Sequence, residues 1–222
     1  MSDTTSDTAA PRVALVTGAS RGLGFALAAA LGAAGWHVVA LARTVGGLEE
    51  LDDRIRAAGG QATLAPMDVN DEKAMTHLAQ SIAGRWGGLG LWVHAAIHAA
   101  PLAPAGSLDL KDLDKSIATN VRATATLIPL LEPLLRAHRG TALFLDDPRA
   151  GQKFFGAYGA TKAAQTALAQ SWQAEAARIG PRVLIETPHP TATATRARFF
   201  PGEDRAPLAD IHDEAARLLA RV

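Results

Sequence analysis

Cysteine is absent from this chain of 222 residues. Its absence excludes disulfides, thiol nucleophiles and thiolate metal sites, and it agrees with a reducing compartment. An excess of one charge is also missing, because 22 lysines and arginines balance 22 aspartates and glutamates. Without a net electrostatic field, the chain is expected to bind neither nucleic acid nor an anionic membrane.

Long hydrophobic runs are missing as well. Gly, Arg, His or Asp interrupts every apolar stretch before the roughly 18 residues that a membrane helix needs. Residues 1–10 have neither the basic start nor the apolar run of a secretory signal, and we expect a disordered tail there. We therefore expect a cytoplasmic protein without a membrane segment, in which residues 11–222 form a single domain.

The chain instead alternates β-rich apolar runs with alanine- and leucine-rich stretches, which is typical of a parallel sheet covered by helices on both faces. Strands are predicted at 13–17, 36–42, 62–66, 89–94, 141–145 and 182–186. Helices are predicted at 22–34, 46–58, 70–86, 110–135, 158–179 and 210–221. Residues 188–207 lack periodicity and are rich in Pro, Thr and Arg, which indicates a loop or a mobile lid.

A glycine-rich turn, T-G-A-S-R-G-L-G at 17–24, joins the first strand to the first helix. Gly18 permits a tight turn, Gly22 lets the backbone approach a pyrophosphate, and Gly24 lets the helix pack close to the strand. The N–H groups at the helix start also favour negative charge. An ordinary strand-to-helix turn is the alternative, but the context favours a dinucleotide site. Its candidate residues are Gly18, Ser20, Arg21, Gly22, Leu23 and Gly24.

The second strand ends without the carboxylate that would accept hydrogen bonds from the ribose hydroxyls of NAD. Arg43 stands there instead, and together with Arg21 it could pair with the 2′-phosphate of NADP. The alternative is that both arginines are solvated loop residues. Their positions favour NADP(H) over NAD(H) as the cofactor.

The chain holds a single tyrosine, Tyr158, and Lys162 follows it four residues later on a predicted helix. That spacing puts both side chains on one face of the helix. An ammonium near a phenol lowers the pKa of the phenol from about 10 toward neutral pH. Tyr158 is therefore a candidate general acid or base. The alternative is a core tyrosine beside a surface lysine.

The turn at 17–24 and the sequence Y-G-A-T-K at 158–162 together resemble the short-chain dehydrogenase/reductase family, over about residues 12–221. The resemblance implies a Rossmann-type, doubly wound α/β fold with about six parallel strands in the order 3-2-1-4-5-6. The family's seventh strand would be missing, since the chain stops after the helix at 210–221. The resemblance also implies a homodimer or homotetramer.

The same resemblance implies roles for further residues. Lys162 would hold the nicotinamide ribose, and Asn120 would anchor a water molecule in a proton relay. Asp68 and Val69 would meet the adenine ring. The other implied cofactor contacts are Ala95, Ala96, Pro188, Thr191 and Thr193.

Two positions depart from the family. Where the family places a serine after the fifth strand, this chain has Asp147, with Asp146 as the alternative. A carboxylate beside Tyr158 would raise the pKa of the phenol and repel a developing oxyanion unless the carboxyl is protonated. His94 lies where the family often has Asn-Asn-Ala-Gly, and we interpret it as a structural residue that donates to neighbouring main chain. His94 and His98 lack the carboxylate cluster that a metal site would need, so no metal is predicted.

These observations favour an NADP(H)-dependent oxidoreductase that reduces a small-molecule carbonyl or oxidises a secondary alcohol, with Tyr158 as acid or base. A non-catalytic relative that binds the dinucleotide as a sensor or structural element is the alternative, and a different reaction on the same scaffold is a third. Four phenylalanines indicate an apolar or aromatic ligand, unless they pack under the lid. They are Phe154, Phe155, Phe199 and Phe200.

Overall fold

The computed structural model describes residues 12–222. The tail that we expect at residues 1–10 lies outside this part of the chain. The strands are β1 (Val13–Thr17), β2 (His37–Ala42), β3 (Gln61–Pro66), β4 (Leu91–His94), β5 (Thr141–Leu145) and β6 (Arg182–Glu186). The helices are α1 (Gly22–Ala33), α2 (Val45–Ala57), α3 (Glu72–Trp86), α4 (Leu110–Ser116), α5 (Ala123–Ala137), α6 (Gly156–Ala176), α7 (Ala194–Phe199) and α8 (Ile211–Leu219).

The six strands form one parallel sheet in the order β3-β2-β1-β4-β5-β6. This confirms the predicted strand number and order, and residues 12–222 contain no seventh strand. The direction of winding reverses between β1 and β4, so a crevice opens outside the carboxyl ends of these strands. The glycine-rich turn follows β1, which places it in that crevice.

Two hydrophobic cores lie on opposite faces of the sheet. On one face α1, α2 and α8 contribute side chains such as Leu27, Leu51 and Leu218. On the other face α3, α5 and α6 surround Trp92 and Trp172, whose ring centroids are 6.1 Å apart. Strands buried on both faces explain the continuous apolar runs of the sequence.

The region predicted as one helix at 110–135 contains three pieces. Helix α4 ends at Ser116, a π-helical segment spans Ile117–Arg122, and α5 then continues to Ala137. A π segment inserts an extra residue into the helix and changes the direction of the following side chains. Sequence periodicity did not predict this interruption, which holds Asn120.

The predicted loop or lid at 188–207 contains a short helix of six residues, α7. Thr193 caps it by accepting a hydrogen bond from the backbone N–H of Arg196 at 3.2 Å. None of the helices within residues 12–222 has the length and hydrophobicity that a bilayer-crossing segment requires.

Candidate functional site

A cavity of about 640 Å³ runs along the carboxyl ends of the strands. All of the residues proposed for the cofactor line it, from the glycine turn to the loop after β6. They are Gly18, Ser20, Arg21, Gly22, Leu23, Gly24, Arg43, Asp68, Val69, Ala95, Ala96, Tyr158, Lys162, Pro188, Thr191 and Thr193. Asp146 and Asp147 line the same cavity, whereas Asn120 does not.

The glycines of the turn are needed for close approach. Gly18 has φ of 74°, and a Cβ there would lie 2.7 Å from the backbone nitrogen of Ala96. A Cβ on Gly24 would collide with the carbonyl oxygen of Gly18. Helix α1 begins after Arg21 without any side-chain cap, so its first N–H groups keep their capacity to bind an anion.

Two arginines bound the far end of the cavity. Arg43 follows β2 and lies 3.9 Å from Asp68, which follows β3, and 63% of the Arg43 side chain is exposed. Arg21 in the glycine turn is also exposed. A contact of this length between exposed groups is weak, so Arg43 keeps its capacity to bind a phosphate.

Tyr158 lies near the start of α6 and is 3% exposed. Its hydroxyl donates to Oδ2 of Asp147 at 3.1 Å, and Nε of Arg149 donates to Oδ1 of the same carboxylate at 2.8 Å. Asp146 instead accepts a hydrogen bond from the hydroxyl of Thr166 at 2.8 Å. Of the two aspartates considered for the serine position, Asp147 is therefore the one in contact with Tyr158.

Burial raises the pKa of Tyr158 above its ordinary value, and the carboxylate of Asp147 raises it further. The expectation that Lys162 lowers the pKa of this phenol is wrong for this structure. Lys162 is 3% exposed and donates to the carbonyl of Leu145 and, at 2.6 Å, to Oε1 of Gln165. Its ammonium thus donates to two acceptors of the protein, while the charge that acts most strongly on the phenol is the negative charge of Asp147.

Asn120 is fully buried in the π-helical segment. Its side chain accepts from the backbone N–H of His98 at 2.7 Å and donates to the His98 carbonyl at 3.0 Å and to the Thr161 hydroxyl at 3.0 Å. The side chain therefore fixes the loop after β4 to α6. The proposed role in a proton relay stays a prediction.

His94 is buried at the end of β4, between the hydroxyls of Thr17 at 2.9 Å and Thr124 at 3.0 Å. Burial lowers its pKa to about 3, and the nearby charge of Lys162 contributes. The imidazole is thus neutral and structural, as expected. We expected the ring to bond to the main chain, but both of its nitrogens instead contact threonine hydroxyls.

Aromatic side chains enclose Tyr158. The ring of Phe199 lies 4.9 Å from it between centroids, and Phe155 lies 5.1 Å from Phe199. The guanidinium of Arg149 lies over the rings of Phe155 and Phe200, at 5.5 and 5.4 Å. Three of the four phenylalanines proposed for the ligand region thus meet here.

Phe154 is the exception, because it is 43% exposed and does not belong to this aromatic cluster. Arg149 was missed by sequence reasoning. Its position two residues after Asp147 is the one signal that could have identified it.

A second ionic cluster joins α8 to the loop after β6. Glu214 is 2% exposed, and its carboxylate accepts from both the backbone N–H and Nδ1 of His189, at 2.9 and 2.8 Å. Arg217 donates to the same carboxylate at 2.6 and 3.0 Å. Burial raises the pKa of Glu214, but the hydrogen bonds from Arg217 and His189 outweigh this effect and lower it to about 2. Because His189 lines the cavity, this cluster fixes one wall of the site.

A family model described as short chain dehydrogenase matches residues 12–204. The chain is 32% identical over 168 residues to a fatty acyl-CoA reductase of Acinetobacter baylyi, a match that covers 74% of this chain and 57% of that protein. It is also 32% identical over 190 residues to an uncharacterised oxidoreductase of Mycobacterium tuberculosis, covering 84% of this chain and 71% of that protein. The chain thus spans less than two thirds of the first of these relatives.

Solved structures resemble the whole described region. A protein assigned as a short chain dehydrogenase from Pseudomonas syringae superposes with a TM-score of 0.87 at 31% identity, covering 95% of this chain and 88% of that chain. A second one, from Shigella flexneri and complexed with NADP, has a TM-score of 0.87 at 29% identity, covering 94% of this chain and 89% of that chain.

Proposed function

The chain belongs to the short-chain dehydrogenase/reductase family of oxidoreductases, which bind a nicotinamide dinucleotide, and from that membership we propose that it is an NADP(H)-dependent carbonyl reductase. The observation that carries the proposal is that the hydroxyl-bearing Tyr158 and the ammonium of Lys162 line the same cavity as the glycine turn. Arg21 and Arg43 support NADP(H) over NAD(H), because both are exposed cations that line the cavity and an arginine near the end of the second strand can accommodate a 2′-phosphate.

A bound nicotinamide would supply a hydride to the carbonyl carbon of the substrate. The carbonyl oxygen would then become an alkoxide, which needs a proton from a residue of this chain. Tyr158 donates its phenolic proton to that oxygen. Because an alkoxide is more basic than a phenolate, this transfer stays favourable even for a tyrosine with a raised pKa.

Asp147 and Arg149 act on Tyr158 as a pair. The carboxylate of Asp147 keeps the proton on Tyr158 before reaction, and it opposes the phenolate that forms afterwards. Arg149 offsets part of that repulsion, because its guanidinium is bonded to the same carboxylate at 2.8 Å. This arrangement favours carbonyl reduction over alcohol oxidation, since oxidation needs a tyrosine that is already deprotonated.

The substrate that fits this site is small and apolar or aromatic near its carbonyl. Phe199 packs against Tyr158 and lines the cavity together with Phe200, Ile97 and Ala99. Phe155 belongs to the same hydrophobic cluster. Apolar side chains in a cavity lining bind ligands through burial of hydrocarbon surface.

A dinucleotide-binding protein without turnover is the second candidate function. The observation that favours it is the hydrogen bond from Tyr158 to Asp147, which occupies the proton that the reaction would use. In this case the protein would bind NADPH as a sensor or as a structural element.

Calorimetric titration with NADPH and NADH, followed by NADPH consumption with aldehydes, ketones and quinones, separates the two functions. We expect binding with a preference for NADPH, and turnover that Tyr158→Phe lowers by roughly 10²- to 10⁴-fold without loss of NADPH binding. Binding without turnover in either protein would support the second function. Absence of binding by both coenzymes would contradict both.

A further inference from the structure

Gln165 lies one helical turn after Lys162 on α6 and is 2% exposed. Its side-chain oxygen accepts a hydrogen bond from Nζ of Lys162 at 2.6 Å. Its side-chain nitrogen donates to the hydroxyl of Thr124, on α5, at 3.1 Å. A buried amide with both ends engaged has little freedom to rotate.

The hydrogen bonds of Thr124 determine which end of this amide faces Lys162. The Thr124 hydroxyl donates its single proton to the carbonyl of Asn120 at 3.0 Å, so its oxygen accepts from Gln165 and from Nε2 of His94. His94 is then protonated on Nε2, and its Nδ1 accepts from the hydroxyl of Thr17. Thr124 therefore has no proton for the amide oxygen of Gln165.

Rotation of the amide by half a turn would be unfavourable at both ends. It would place the NH₂ group of Gln165 against the ammonium of Lys162, and it would leave the oxygen without a donor at Thr124. The network from Thr17 to Thr124 thus orients the oxygen of Gln165 toward Lys162.

Lys162 has few other compensating groups. The carboxylates of Asp146 and Asp147, in the loop after β5, are the charged groups that act on it, and both are engaged with other partners. Tyr158 on α6 and His94 on β4 are neutral neighbours. The carbonyl of Leu145 and the amide oxygen of Gln165 are the acceptors that the ammonium contacts directly.

We propose that Gln165 is a positioning residue that holds the ammonium of Lys162 in its charged form and fixes its direction. Two of the three protons of the ammonium are then bound by Leu145 and Gln165, so one remains for a ligand in the cavity. The functional part of this inference rests on the proposed reductase activity, in which Lys162 serves the bound coenzyme.

The titration of Lys162 tests this role directly. The chain contains five lysines, so the full-length protein labelled with ¹³C-lysine gives a simple spectrum, in which Lys162→Met identifies the signal. Burial lowers the pKa of Lys162 to about 8. We expect Gln165→Met to lower the midpoint by roughly one to two pH units, because a charged group loses a buried acceptor. We expect Gln165→Glu to raise it by roughly one pH unit or more.

Gln173→Met is the matched control. Gln173 lies on the same helix and donates to the carbonyl of Val183 at 2.7 Å, so its loss should leave the midpoint of Lys162 unchanged. A folded Gln165→Met protein with the midpoint of the native chain would overturn the proposal. If Gln165→Met does not fold, failure of Gln165→Glu to raise the midpoint overturns it.

Turnover gives a second measurement of the same effect. The pH dependence of kcat/KM for NADPH-linked reduction should shift in the same direction as the lysine midpoint in each variant. A native protein that binds NADPH without any turnover would contradict the proposed reductase, while the lysine midpoints would still decide the role of Gln165.

Discussion

Asp147 is the residue that we predict to stand where the family has a serine. The family's serine would offer a neutral hydroxyl to the substrate oxygen, whereas Asp147 accepts hydrogen bonds from the Tyr158 hydroxyl and from Arg149. A carboxylate in this position stabilises the neutral phenol. The resting state of the site therefore has a fully protonated Tyr158.

Asp147→Ser should lower the pH at which Tyr158 ionises. Burial, which is the largest cause of the raised pKa, remains in the variant, but the charge and the hydrogen bond of Asp147 are removed. Because Tyr158 is the single tyrosine, phenolate absorbance in the near ultraviolet reports on this residue alone. We expect the midpoint to fall by at least about one pH unit, together with an increase in turnover at neutral pH.

Asp146→Ser is the control for this titration. Asp146 is a neighbouring carboxylate that bonds to Thr166 instead of Tyr158, and its effect on the phenol is the smallest of those identified. Equal shifts in the two variants would show that Asp147 has no special contact with Tyr158 in solution.

The turn between β1 and α1 is defined by steric contacts rather than by side-chain chemistry. Gly24→Ala places a methyl group against the carbonyl oxygen of Gly18, and overpacking of this kind costs roughly 1–3 kcal/mol. We expect urea unfolding to show this decrease in the free energy of unfolding. NADPH binding should weaken at least about 10-fold, because the N–H groups of the turn move.

Gly46→Ala is the matched control, since a Cβ on Gly46 in α2 has no neighbour within 4 Å. Alanine is the better helix former, so this variant should be as stable as the native chain or more stable by up to about 1 kcal/mol. NADPH binding that survives unchanged in Gly24→Ala would contradict the placement of the diphosphate at this turn.

Helices and strands followed from the sequence wherever local pattern determines them. All six strands arise from apolar runs between turn residues, and β1, β5 and β6 have their predicted bounds. The π-helical segment could not be predicted, because its cost is offset by tertiary contacts of Asn120 with the His98 backbone.

The sequence predicts which residues line the cavity better than it predicts the interactions of their side chains. Spacing along one chain brings Tyr158 and Lys162 to one helix face, but the direction of the ammonium depends on Leu145 and Gln165. Gln165 itself follows no sequence signal, since a glutamine within an alanine-rich helix is equally suited to solvent. Its burial is a property of the packing of α5 against α6.

The reversal of strand order between β1 and β4 opens a groove at the carboxyl ends of the strands, in which we expect both ends of a dinucleotide to bind. A ligand that binds the native state alone raises stability by mass action. At a concentration of about 100 times Kd, NADPH should raise Tm by roughly 5–10 °C for a chain of this size. NADH should raise it less at the same concentration.

Arg43→Ala should reduce the NADPH effect to that of NADH in differential scanning fluorimetry. Arg136→Ala is the control, because Arg136 is a half-exposed residue on α5 that pairs with Glu132 outside the cavity. Equal Tm increases with NADPH in the native protein and in Arg43→Ala would contradict the assignment of Arg43 to the 2′-phosphate.

The bonds from Glu214 to His189 connect residues that are 25 positions apart in the chain. They join α8 directly to the loop after β6, whose residue His189 lines the cavity. We therefore expect a molecule or mutation that tilts α8 from the outer surface to change the affinity for the coenzyme without contacting it.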